Sequence, residues 1–166
     1  RDITPVLSNE KSLQAVVELM SKRYEDNKPT KIIGIESRGF IFGVAIACKL
    51  GIGFVPVRKK GKLPFDTYEA SYSLEYGNAT IEIHKDALTS NDRVVIVDDL
   101  LATGGTVLAA ISLVNNFKAK IVGLEFLIEL EFSKGREKIK NYNVNSILKY
   151  WQLFWGNIFN YTVGIW

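Results

Sequence analysis

Apolar positions recur along this chain at two alternating spacings, and the alternation predicts a layered fold. Leu13, Val16, Val17 and Met20 stand at i, i+3, i+4 and i+7, one stripe of a helix whose start Ser8 and Asn9 signal. The apolar run 32–35 then reads as a buried strand. After Glu36-Ser37-Arg38-Gly39 the helical spacing returns, with Phe40, Val44 and Ala47 expected on one buried face and Gly51 as the stop. Residues 54–57 predict a second short strand. The stretch 58–64, Arg58-Lys59-Lys60-Gly61-Lys62-Leu63-Pro64, is too basic and too broken by Gly and Pro for core, and is expected to be a mobile loop. Runs 71–74 and 80–84 flank Glu75-Tyr76-Gly77-Asn78, which predicts two strands and a hairpin. His84, alternating with Ile81 and Ile83, is expected to face solvent.

The run 94–97 is wholly β-branched, as in a strand covered on both faces. Val107, Ala110, Ile111 and Val114 give helical spacing once more, and 121–128 predicts another strand. Strands alternating with helices imply right-handed crossovers, so the expected class is α/β with a mostly parallel central sheet flanked by helices. Ligands of such sheets bind beyond the carboxyl ends of the strands, which is where candidate chemistry belongs.

Composition narrows the function. At 166 residues and 47% apolar content the chain has core enough for one domain. A formal charge of +3 lacks the basic excess that neutralising a nucleic-acid backbone requires, and a small anionic ligand fits better. The single cysteine, Cys48, excludes an internal disulfide and favours a reducing, cytoplasmic setting, and its apolar context predicts a buried structural thiol. The stretch 151–166 is uncharged and aromatic-rich. It is shorter than the roughly 20 apolar residues that span a bilayer and lacks Lys or Arg for an interfacial helix.

The densest chemistry follows the 94–97 run. Asp98-Asp99 stand at a strand end, where two carboxylates are costly to bury without a polar ligand or cation. Leu100-Leu101-Ala102-Thr103-Gly104-Gly105-Thr106 comes next, a small Gly-rich loop leading into a helix whose first N–H groups are unpaired and carry the positive end of the dipole. Thr103 and Thr106 add hydroxyl donors, and Thr106 is a candidate helix cap. Carboxylates suited to a sugar diol directly before a phosphate cradle describe a ribose 5-phosphate pocket. Neither G-x-x-x-x-G-K-[ST] nor G-x-G-x-x-G follows any strand.

The run 94–106 closely resembles the phosphoribosyl pyrophosphate signature of the type I phosphoribosyltransferases. Four further stretches resemble the adenine phosphoribosyltransferase family in particular: Arg1-Asp2-Ile3-Thr4-Pro5, Glu36-Ser37-Arg38-Gly39-Phe40, Arg58 to Pro64, and Ser71-Tyr72-Ser73-Leu74-Glu75-Tyr76-Gly77. Lys134-Gly135-Arg136-Glu137-Lys138 makes a fifth. The likeness covers residues 1–150, which would form the phosphoribosyltransferase domain, and leaves 151–166 as a tail without a role.

The resemblance implies transfer of phosphoribose from 5-phosphoribosyl 1-pyrophosphate to adenine, giving AMP and pyrophosphate, in a cytoplasmic homodimer. It implies Glu75 as the catalytic carboxylate and Tyr76 as its neighbour on a lid. Substrate contacts would come from Arg1, Arg38, Arg58, Lys62, Asp98, Asp99, Ala102, Thr103, Gly104, Gly105 and Thr106, with Leu130 packing on the purine face. Mg2+ is expected on substrate oxygens rather than in a protein cage. One of Lys59 and Lys60 at least is expected to be merely solvated. The family carries a Phe just before the position matched by Arg1, so one face of the base sandwich is expected to be missing. A phosphoribosyl-pyrophosphate-sensing regulator would need a DNA-binding module and a basic face, and a 6-oxopurine enzyme fits the Glu75-Tyr76 context less well.

Overall fold

The computed structural model describes residues 2–73 and 77–151. The elements run α1 (Thr4–Leu7), α2 (Glu10–Lys22), β1 (Lys31–Ile35), α3 (Arg38–Leu50), β2 (Gly53–Lys59), β3 (Thr67–Ser73), β4 (Asn78–His84), β5 (Arg93–Leu101), α4 (Gly105–Asn115), β6 (Lys120–Leu130), a 3-10 turn (Glu131–Ser133), α5 (Gly135–Lys138) and β7 (Val144–Tyr150). The strands form one sheet in the order β3-β4-β2-β1-β5-β6-β7. Strands β2, β1, β5, β6 and β7 pair in parallel, while β3 and β4 form an antiparallel hairpin joined to the end of β2. The expected α/β class therefore holds.

Local choices explain the elements. α2 begins where Asn9 Oδ1 accepts the Ser12 N–H at 2.9 Å, the cap that the sequence signals. α3 ends at Gly51, whose φ of 67° suits glycine. On β5, Val94 and Ile96 join α4 residues Val107, Ala110 and Leu113 in one core layer. Val95 and Val97 join Met20, Phe42 and Ile46 in the other. A strand walled on both sides has no polar face, hence the unbroken β-branched run. No helix among the described residues is long and apolar enough to cross a membrane.

Four expectations need correction. α3 buries Gly39, Phe42, Gly43, Ile46 and Ala47, whereas Val44 is 43% exposed and Cys48 is exposed. Glycines set this face: a Cβ on Gly43 would lie 2.8 Å from the Phe54 ring, so α3 turns its two glycines inward to approach the sheet. A pattern that counts only large apolar residues is rotated away from that stripe.

The basic stretch is not all loop. Arg58 and Lys59 continue β2 and pair with Glu82 and Ile81. The turn beyond closes on buried Glu82, whose Oε1 accepts the N–H groups of Lys62 at 2.9 Å and Leu63 at 2.8 Å. Burial pushes the Glu82 carboxyl up, but the N–H groups of the turn outweigh it and hold the carboxyl below its ordinary range. His84 shares the Glu82 face, which that turn covers, so it is half-buried beside Phe65 with ring centroids 5.9 Å apart. Its Nε2 is buried without a hydrogen-bond partner among the described residues, and the residue borders a second cavity of about 380 Å³ at the amino ends of β1 and β2.

Candidate functional site

A cavity of about 450 Å³ lies at the carboxyl ends of β1, β5 and β6. Three backbone segments build its wall. The first is 36–38, between β1 and α3, where a cis peptide bond joins Glu36 to Ser37. The second is the end of β5 with the loop 102–104, and the third is the start of α4. Arg38, Asp98, Asp99, Ala102, Thr103, Gly104, Gly105 and Thr106, all candidate substrate contacts from the sequence, line this one space. Phe126 enters it because it stands in register with Asp98 on the neighbouring strand.

The two aspartates are held differently. Asp99 is buried and its Oδ2 meets Arg38 Nε at 2.9 Å. That pairing offsets a cation at the amino end of α3, where the helix dipole disfavours it. Asp98 has no ion pair among the described residues, and its Oδ1 accepts only the Asp99 N–H at 2.9 Å. Burial first, and then the adjacent charge of Asp99, push the Asp98 carboxyl well above the usual carboxylate range. A polar or cationic ligand at this position would relieve both.

Gly104 has φ 79° and precedes α4, so the loop turns sharply and aims the first N–H groups of the helix into the cavity. The helix cap is Gly104 rather than Thr106, with no side-chain cap bond; Thr106 already lies within the first turn. Its hydroxyl is thereby left for the cavity. Ser73, two residues before Glu75, packs its carbonyl 3.6 Å from where a Cβ on Gly105 would sit. Glu75, Tyr76 and Arg1 themselves lie outside the described residues.

Arg58, Lys62 and Leu130 do not line the cavity. Arg58 grips Glu36 through Nε at 3.2 Å and Nη2 at 3.3 Å, and donates from Nη1 to the Lys62 carbonyl at 3.0 Å. Burial raises the Glu36 carboxyl, but the Lys59 N–H and the Arg58 guanidinium more than reverse this, so it stays ionised as a cavity wall residue. Lys62 is exposed on the turn, and Leu130 is half-buried at the end of β6 in register with Tyr150. Lys59 lines the cavity, whereas Lys60 Nζ is taken by Glu69 at 2.8 Å. Sequence reasoning passed over Tyr72 and Phe126, which only strand register brings to the wall.

Residues 2–156 match the family described as the phosphoribosyl transferase domain. An adenine phosphoribosyltransferase of Carboxydothermus hydrogenoformans is 53% identical over 150 residues, covering 90% of this chain and 88% of the relative. The chain belongs to the adenine phosphoribosyltransferase family. The crystal structure of the Saccharomyces cerevisiae member, complexed with an imino-altritol bisphosphate and adenine, has a TM-score of 0.83 at 42% identity and covers 87% of this chain and 84% of that one. The Trypanosoma brucei member, in complex with AMP, pyrophosphate and ribose-5-phosphate, has a TM-score of 0.83 at 27% identity, covering 89% and 68%. Both share the sheet that carries the cavity.

Proposed function

We propose that this cavity takes the ribose 5-phosphate part of 5-phosphoribosyl 1-pyrophosphate and that adenine displaces its pyrophosphate. Membership of the family makes the chain a pentosyl-transferring enzyme of AMP salvage. The observation that carries the assignment of the site is the joining, in one cavity, of a carboxylate pair whose Asp98 lacks an ion pair among the described residues with a Gly-turned helix start. The carboxylates suit the sugar hydroxyls as acceptors, and the loop 102–106 suits the 5-phosphate through N–H groups and the Thr103 and Thr106 hydroxyls.

In the reaction adenine N9 bonds to the anomeric carbon, the bond from that carbon to the pyrophosphate oxygen breaks with its electron pair, and the N9 proton leaves. Oxocarbenium character builds on the sugar as this happens. Glu75 accepts the proton and stabilises the developing positive charge, with Tyr76 beside it. Arg38, half exposed at the cavity, offers its remaining N–H groups to pyrophosphate oxygens, while Arg58 and Lys62 approach from the β2 turn. Leu130 supplies an apolar face for the purine, and Arg1 belongs to the same base end.

Magnesium would ride on substrate oxygens, with the Asp98 carboxylate as a hard oxygen neighbour at the cavity wall. When bound, it supplies charge neutralisation for the departing pyrophosphate. A domain of residues 1–150 followed by a tail of 151–166 is the division the sequence resemblance supports, and the family match at 2–156 takes in the first six residues of that tail. A cytoplasmic setting is supported by the single cysteine, and a homodimer by the apolar outer face of α3, where Ile41 and Val44 are 42% and 43% exposed. Sedimentation at micromolar concentration tests the dimer. The reaction is tested by offering adenine, hypoxanthine, guanine and xanthine with phosphoribosyl pyrophosphate and Mg2+. AMP is the expected product, and preferential use of a 6-oxopurine would overturn the assignment.

A further inference from the structure

The loop 102–104 is met from behind by a second turn. A Cβ on Gly135 would lie 2.1 Å from the Ala102 carbonyl oxygen and 2.9 Å from the Gly104 nitrogen. A Cβ on Gly104 would in turn lie 3.0 Å from the Gly135 carbonyl oxygen. Every one of these neighbours is backbone, so no side-chain rotation makes room. The turn reaches this position through Lys134, whose φ of 54° is left-handed for a residue that is not glycine.

Arg136 holds that turn in place. Its Nε donates to Glu129 Oε1 at 2.6 Å, its Nη2 to Glu129 Oε2, and its Nη1 to the Val144 carbonyl at 2.9 Å. Ser146 Oγ donates to the same carboxylate at 2.7 Å. Glu129 is buried and stands in register with Leu101, the residue just before the loop. A two-pronged guanidinium contact fixes orientation as well as distance, so β6, β7 and α5 become one block directly behind the cradle.

We propose that Gly135, held by the Arg136–Glu129 pair, is a positioning element that shapes the 102–106 loop and so sets its grip on the sugar's 5-phosphate. These residues act through the backbone of Ala102 and Gly104 without touching the ligand. This assignment rests on reading the loop as the phosphate cradle. It gives Lys134 to Lys138, a stretch that the sequence marks but the chemistry above leaves unused, a task in binding.

The test is calorimetric titration of the full chain with ribose 5-phosphate and, separately, with adenine, together with steady-state KM and kcat. Gly135→Ala should weaken ribose 5-phosphate by about tenfold or more and raise KM for phosphoribosyl pyrophosphate in parallel, with adenine affinity changed by less than about twofold. Arg136→Lys, which keeps the charge but not the fork, should show the same selectivity at smaller size, with Arg136→Ala larger; this pair serves if the glycine variant fails to fold. Unchanged ribose 5-phosphate affinity in the folded variants overturns the positioning role. Equal weakening of both ligands overturns it as well, because the block would then support the fold alone. A parent chain that binds adenine but no ribose 5-phosphate overturns the cradle reading itself.

Discussion

Asp98 and Glu129 stand on neighbouring strands near the same loop, and their carboxyl groups are treated in opposite ways. Asp98 faces a second carboxylate; burial and that charge push it up. Glu129 is also pushed up by burial, but the Arg136 fork, the Ser146 hydroxyl and the charge of Lys149 outweigh this and hold it below its ordinary range. One carboxylate is thus left wanting a partner at the edge of a cavity, while the other is fully engaged behind it. On the function proposed above, the difference separates a group kept for a ligand from one used to hold the frame. Exposure alone would not separate them from Glu125, which is buried like Glu129 and yet is pushed up to about 7, chiefly by burial, against the counter-pull of Arg23 and Tyr24.

The largest expected effect is on the frame. Glu129→Ala leaves Arg136 and Ser146 without their common acceptor, and breaking such a buried pair costs about 3 kcal/mol. Urea unfolding of the purified variant checks the loss; a change under about 1 kcal/mol would erase the contrast with Asp98. Because the Glu129 carboxyl is depressed, its stabilisation is present above the ordinary glutamate pKa of 4.5 and is lost as pH falls below that value.

Asp98→Asn should do the reverse, trading function for stability. Ribose 5-phosphate affinity falls about thirtyfold, or roughly 2 kcal/mol for a lost charged acceptor. The native carboxyl is raised, so ionising it destabilises the fold as pH climbs above the ordinary aspartate range. The variant should accordingly melt at a higher temperature than the parent at pH 7. Calorimetry and a thermal melt read the two arms, and a variant that both binds well and melts lower would reverse the assignment.

Glu125 offers a smaller test of the same logic away from the two cavities described above. It binds protons more tightly folded than unfolded, so the parent should lose stability as pH rises from about 4.5 to about 7. Glu125→Gln keeps one oxygen acceptor, for Arg23, and turns its amide N–H toward the Tyr24 hydroxyl, which can accept; it should flatten that slope by about 1–2 kcal/mol, measured by denaturant midpoints across the window. Smallest of all, Cys48→Ser should change stability by less than about 0.5 kcal/mol, since the thiol is exposed on α3. Thermal melts of both proteins decide this.

Much of the architecture could be read directly from the residues. Hydrophobic period locates most of the strands and helices, because a strand covered on both faces and a helix covered on one leave different residue patterns. The run from Val94 to Thr106 carries its chemistry locally, since the carboxylates, the turn and the helix start are neighbours in sequence, and so the cavity wall there was legible. What lay beyond reach depends on contacts between distant segments. The inward face of α3 was decided by Gly39 and Gly43 meeting the sheet, where the absence of a side chain leaves no hydrophobic signal. The place of His84 was decided by a turn packing over its strand from about twenty residues upstream. Phe126 joined the wall through strand register, and Arg58 reached Glu36 through the pairing of β1 with β2. The backing of the cradle by Gly135 also came from tertiary packing: a glycine is required there by the carbonyl of Ala102, thirty-three positions earlier in the chain, and close approach between distant backbones is written in no local pattern.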